Sequence, residues 1–210
     1  MFRDRKDAGI KLAARLKKYK NKGVVVLAVP RGGIEVGCEV AKALKAPFSA
    51  VVVRKLPFPN DPEAGFGAIA ENGSVVILEG PSSWLPKEVI ETVKRQQAEE
   101  VKRRIKVLRG GLPLPEIKGK TVILVDDGLA MGSTMLAAVK YCRAKKAGRI
   151  IAAVPISGGE AARLVGDAAD ELVVLEKPSY FYAVAQGYEK WYDLPDAEAA
   201  DILKGCYNLP

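Results

Sequence analysis

Two adjacent carboxylates, Asp126 and Asp127, follow the apolar run Thr121-Val122-Ile123-Leu124-Val125, and Gly128-Leu129-Ala130-Met131-Gly132-Ser133-Thr134 comes next. A run of this kind reads as a buried strand, so the acids stand at its C-terminal end, where open α/β sheets bind ligands. Gly128 and Gly132 let successive backbone N–H groups converge ahead of a helical stretch from Thr134 to about Lys146. The positive end of that helix favours an anion, and Ser133 and Thr134 add hydroxyl donors. The segment predicts a phosphate cradle beside two carboxylates. Because the acids would repel a bare phosphate, their partner is another part of the same ligand: sugar hydroxyls, or a magnesium ion reached through water.

A second constellation follows the run Gly23-Val24-Val25-Val26-Leu27-Ala28-Val29, which breaks at Pro30-Arg31-Gly32-Gly33 before a helical stretch to about Leu44. Alone it is a Gly-Gly turn into a helix. At the matching position beside the acid motif it becomes a second anion-facing loop, with Arg31 as its cation. Arg54 and Lys55 end another apolar stretch, Ser49 to Arg54, and could reach the same anion. Two commoner phosphate motifs fail: Gly119-Lys120-Thr121 has Leu114 where a Walker A loop needs Gly, and residues 31–37 are not G-x-G-x-x-G.

Around these loops, strand and helix patterns alternate, which argues for a mostly parallel sheet of five strands flanked by helices in one α/β domain spanning residues 1–210. Ser74 to Leu78, Arg149 to Pro155 and Glu171 to Leu175 are further strand candidates. Residues 56–67, rich in Pro and Gly, read as a long loop and a candidate flexible lid. Pro86 to about Arg109 reads as one inserted amphipathic helix stopped by Gly110-Gly111, its basic C-terminal half most simply a solvated face. Tyr180, Phe181, Tyr182, Tyr188, Trp191 and Tyr192 concentrate aromatics in a C-terminal hood of about 176–210, as acceptor-pocket wall or packed flap.

Composition narrows the chemistry. The chain has 210 residues, a net charge of +8 and no histidine, which removes Ser-His-Asp, Cys-His and H-E-x-x-H proposals. Cys38, Cys142 and Cys206 are odd in number and widely spaced, so neither a disulfide framework nor a zinc knuckle is expected, and a cytoplasmic setting follows. No apolar stretch approaches the ~20 residues of a spanning helix, and the charged start Met1-Phe2-Arg3-Asp4-Arg5-Lys6-Asp7 is unlike a secretory leader, so no membrane role is expected.

Residues 122–134 resemble the PRPP-binding signature of the type I phosphoribosyltransferases: four apolar residues, two acids, two mostly apolar residues, then a small Thr- and Gly-containing loop. The likeness extends through Phe2-Arg3-Asp4-Arg5 with Ala8-Gly9, Val52 to Leu56, Gly67 to Ala70, and Phe181 to Val184 with Gln186, a pattern similar to a subgroup of phosphoribosyltransferases of unknown acceptor. It implies the type I fold with a small hood and lid, and a reaction in which an acceptor displaces diphosphate from PRPP with Mg²⁺. By resemblance, Asp126 and Asp127 hold the ribose hydroxyls and, with Arg31, carry catalysis. Gly128 to Thr134 hold the 5′-phosphate, and Arg31, Gly32, Gly33, Arg54 and Lys55 hold the diphosphate.

The resemblance also implies a cis peptide at Arg31–Gly32 and a homodimer. Met131 stands where the family usually has Thr; one lost charge-assisted hydrogen bond would weaken PRPP binding about tenfold to a hundredfold. Ala130 replaces the acid usual in enzymes of 6-oxopurines, which disfavours hypoxanthine and guanine. The alternative from another class is a PRPP- or nucleotide-sensing RNA-binding regulator, motivated by the +8 charge and the basic helix.

Overall fold

The computed structural model describes residues 1–207. In chain order its elements are α1 (Arg5–Arg15), β1 (Val25–Ala28), α2 (Gly32–Leu44), β2 (Phe48–Ala50), β3 (Val53–Phe58), β4 (Asp61–Ala70), β5 (Val75–Ile77) and α3 (Glu79–Ser82). There follow α4 (Lys87–Arg109), β6 (Thr121–Val125), α5 (Ser133–Ala144), β7 (Arg149–Ile156), α6 (Gly159–Ala168), β8 (Glu171–Glu176) and α7 (Asp196–Tyr207). Five strands form a parallel sheet in the order β2-β1-β6-β7-β8. No described helix is long and apolar enough to cross a membrane.

The continuous apolar runs have two buried faces to fill, and side-chain alternation sends successive residues to opposite ones. Val26, Ala28, Ile123 and Val125 join a core with Leu12 of α1, Leu44 of α2 and Leu203 of α7. Val25, Leu27, Val122 and Leu124 join the other, with Met135 and Cys142 of α5 and Val165 of α6. The register is level at the C-terminal edge: Ala28 lies opposite Val125, and the Val29 N–H donates to the Val125 carbonyl at 2.8 Å. That register puts the turn after β1 beside the acids after β6.

Three expectations are corrected. The stretch Ser49 to Arg54 is two strands, because the Val52 N–H, instead of continuing the ladder, donates to the Glu71 carboxylate at 3.0 Å. The chain then turns out of the main sheet into a second, antiparallel sheet in the order β3-β4-β5, which also claims Val75–Ile77. Residues 56–67 are therefore a strand hairpin in place of a long loop. Leu56 and Phe66 are fully buried in its base, and Pro57 sits where the register shifts, a position that spares the ladder its missing N–H.

The third correction concerns the thiols. Cys38 of α2 and Cys206 of α7 are joined in a disulfide, with Cα atoms 5.9 Å apart, across a sequence separation of 168. The packing of α2 on α7 brings them together, which spacing alone could not reveal.

Helix α4 ends as expected at Gly110, in the left-handed conformation with φ 60°. Its last residue, Arg109, is buried and pairs with Glu71 at 3.0 Å, tying the helix to the β4–β5 turn. The side chains are 3% and 10% exposed, so deleting one partner strands the other. Glu71→Ala is expected to cost about 3–5 kcal/mol in urea unfolding, and an apolar replacement of both partners to recover most of it. A loss under about 1 kcal/mol would show the pair to be solvated.

Candidate functional site

The level edge of β1 and β6 opens a cleft of about 370 Å³. Its floor is Asp126, Asp127 and Thr134, and its walls include Pro30, Arg31, Gly32, Arg54, Lys55, Arg104, Arg5, Val184 and Trp191. Seven of the sequence-identified residues thus meet: Arg31, Gly32, Arg54, Lys55, Asp126, Asp127 and Thr134.

The others do not line it. Gly33 lies in the first turn of α2, where an added Cβ would come 2.8 Å from the Val125 carbonyl oxygen. Gly128 packs under Val184, and Leu129 is buried, its N–H donating to the Ile156 carbonyl and its carbonyl accepting from Gly158. Leu129 therefore braces the loop and has no N–H to offer an anion. Ala130 and Met131 are exposed, and Ser133 is buried. Gly132 takes φ 79°, which turns the chain into α5 and leaves the first amides of that helix without a side-chain cap.

Gly32 is fixed by proximity. A Cβ there would overlap the Asp127 Oδ2 oxygen, so the first turn of α2 and the acid pair can share this edge only with glycine. The cis peptide of this loop lies at Pro30–Arg31, one residue before the expected bond; Gly32 is already helical, so the turn is completed ahead of it.

The two acids are not equivalent. Burial, then the neighbouring Asp127 charge, pushes the Asp126 carboxyl well above the usual carboxylate range, although its Oδ1 accepts from the Asp127 N–H at 2.8 Å. Asp127 Oδ2 accepts from Arg5 Nε at 2.8 Å. Burial thus biases the Asp126 carboxyl towards its protonated form, whereas Asp127 is ion-paired with Arg5.

Arg5 is one cleft residue that sequence reasoning missed. It begins α1, lies 122 positions from its partner, donates from Nη1 to the Tyr192 carbonyl at 3.0 Å and stacks 4.0 Å from the Trp191 ring centroid. Nothing in local spacing signals this role, although Arg5 lies in the N-terminal run that carried part of the resemblance. Of the clustered aromatics, Trp191 reaches the cleft, and the Tyr188 hydroxyl donates to the Asp127 carbonyl at 2.6 Å. Tyr180 and Tyr182 are exposed to solvent. The last three residues of the expected hood lie outside the described residues.

The opposite wall is basic. Arg31 Nη1 stands 3.5 Å and Arg104 Nη2 3.9 Å from Asp196 Oδ1, and Arg54 donates to Gln97 at 3.2 Å. Burial, reinforced by Arg104 and Arg31, lowers the Arg54 pKa. The cleft thus combines carboxylates suited to hydroxyls with cations suited to a polyanion.

Comparison with known proteins gives the same outline. The phosphoribosyl transferase domain family model matches residues 3–186. "Putative phosphoribosyl transferase Rv0571c" of Mycobacterium tuberculosis H37Rv is 40% identical over 210 residues, 99% of this chain and 47% of that protein. The chain therefore spans about half the length of the curated relatives it matches. The crystal structure of TT1426 from Thermus thermophilus shares 34% identity and superposes with a TM-score of 0.79, covering 97% of each chain. With a matched domain that takes in both loops and the acid pair, on a five-stranded parallel sheet of the type I fold, this chain belongs to the phosphoribosyl transferase family.

Proposed function

We propose that the cleft binds PRPP and transfers its phosphoribosyl group to an acceptor, releasing diphosphate. The observation that carries this reading is that one cleft brings together the adjacent acids Asp126 and Asp127, the guanidinium groups of Arg31, Arg54 and Arg104, and Thr134 in the first turn of α5. Asp127 would accept from the ribose hydroxyls, with Asp126 beside it. The open amides of α5 and Thr134 would take the 5′-phosphate, and Arg31, Arg54 and Lys55 the diphosphate.

In the transfer, the bond from C1 to the diphosphate oxygen breaks with its electron pair leaving on diphosphate. The acceptor's lone pair forms the new bond on the opposite face, and its proton passes to solvent. This chain's contribution is positional and electrostatic: the acids fix the sugar, and fixed cations meet the charge that develops on the leaving group.

Among the described residues no cluster of three or more His, Cys, Asp or Glu side chains could hold a resident metal, and one oxygen of each acid is already engaged. That donor set fits magnesium arriving on the diphosphate, held by Asp126 and Asp127 through water, where it would neutralise the leaving oxygens. A 6-oxopurine acceptor is disfavoured on this reading, because exposed Ala130 provides no acid for the base. The RNA-regulator reading loses support on α4, where Lys94, Lys102 and Arg103 pair with Glu91, Glu99 and Glu100 on their own helix.

Two measurements test the acid pair. Asp127→Asn should weaken PRPP binding in calorimetric titration by about tenfold to a hundredfold, the equivalent of one charge-assisted hydrogen bond, and slow diphosphate release at least as much. Unchanged binding would remove Asp127 from the site. The second reads the raised pKa of Asp126: a carboxyl held neutral in the fold costs stability as pH rises above its unfolded value near 4 and costs nothing below it. Asp126→Asn should therefore be close to wild type in stability at pH 4 and gain on it as the pH rises above that. A constant difference across that range would show that Asp126 titrates normally.

A further inference from the structure

The basic half of α4, which reads in the sequence as a solvated face, contains one side chain that does not fit that description. Arg104 is 9% exposed where its neighbours Lys102 and Arg103 are 71% and 50% exposed, and it lines the cleft that holds the acid pair. The other buried cation of the helix, Arg109, is committed to Glu71. Arg104 Nε donates to Glu100 Oε1 one turn back at 3.0 Å, an oxygen that also accepts from Arg103. Its Nη2 reaches no closer than 3.9 Å to Asp196 Oδ1, beyond hydrogen-bonding range.

The same Asp196 oxygen is 3.5 Å from Arg31 Nη1 and is buried with no hydrogen-bond partner. One carboxylate oxygen thus sits between two guanidinium groups and satisfies neither. Arg54 lines the same wall, its guanidinium depressed in pKa by burial and by the charges of Arg104 and Arg31. Three guanidiniums from a turn, a strand and a helix converge with less anion than they can bind. A diphosphate offers several oxygens on two tetrahedral phosphorus centres, and a planar guanidinium fork can take two of them at once.

We propose that Arg104 is a diphosphate-binding residue of this protein, and that Asp196 is an internal anion occupying part of its subsite until substrate arrives. The proposal rests on the phosphoribosyl-transfer reading and adds to it a substrate contact supplied by the inserted helix.

The test is calorimetric titration of the full chain with magnesium diphosphate, PRPP and ribose 5-phosphate. Arg104→Gln should weaken diphosphate and PRPP about tenfold to a hundredfold and leave ribose 5-phosphate within about threefold, since that ligand lacks the diphosphate. Arg104→Lys should recover part of the loss. Arg103→Gln, which removes an exposed partner of the same Glu100 and Asp196, should stay within about threefold for all ligands. Asp196→Asn should tighten diphosphate binding, whereas a purely structural Asp196 would weaken it. Wild-type diphosphate affinity in Arg104→Gln, or an equal loss of all ligands in both Arg104 variants, would overturn the proposal and leave the family reading intact. Failure of the wild-type protein to bind either PRPP or diphosphate would overturn the phosphoribosyl reading itself.

Discussion

The ion pair between Arg5 and Asp127 sets the polarity of the whole cleft. Its side chains are 4% and 14% exposed, so neither charge can be left to water, and each requires the other. One guanidinium thereby joins the N-terminal helix, the edge of the sheet and the C-terminal segment, whose Tyr192 carbonyl and Trp191 ring it also engages. Burial first, and then the Asp127 charge in the same low-dielectric corner, raise the Asp126 carboxyl above its ordinary range. The two adjacent acids thus sit in unlike environments, Asp127 paired with a residue far from both in sequence and Asp126 buried.

A second balance governs the opposite wall. Arg31, Arg54 and Arg104 come from three elements, and their mutual repulsion has to be offset within the fold. Glu100 and Asp196 provide the offset. Hydrogen bonds from Arg103 lead in holding Glu100 down at about 2; burial works to raise Asp196, yet Arg103, Arg104 and Arg31 outweigh it and keep that carboxyl below its usual range. Asp196 opens α7, where the helix dipole favours an acid, and the far end of that helix is tied to α2 through Cys38 and Cys206. The compensating charge is thus delivered by an element anchored against the loop that carries Arg31.

What the sequence revealed and what it concealed divide along contact range. β1 and β6 were legible because a strand buried on two faces must be continuously apolar, and the acid pair because it ends such a run ahead of a glycine-containing turn. The 23-residue α4 was legible from its apolar spacing and its Gly stop. The hairpin was not: Pro57, Pro59 and Pro62 read as a loop, whereas register shifts absorb Pro57, and Leu56 and Phe66 acquire their core only when α4 packs over them. Arg5, Arg104, Glu71 and the disulfide were concealed for the same reason. Each works through a partner supplied by another element, and composition is blind to which of many charges or thiols will be buried together.

The hairpin alters how this cleft prepares for its ligand. A flexible loop would bring its cations to the diphosphate on binding and lose conformational entropy in doing so. Here α4 is fastened at its C-terminal end by Arg109 and Glu71, and Val93 and Val101 share a core with Leu56 and Phe66 of the hairpin. Arg54 and Arg104 are consequently in place before any anion arrives. The cost moves into the fold, as burial of like charges that only Glu100 and Asp196 relieve in part. On the phosphoribosyl-transfer reading, such preorganisation would favour a ligand that brings more than one negative charge at once, because a single charge would gain little over the carboxylate already present.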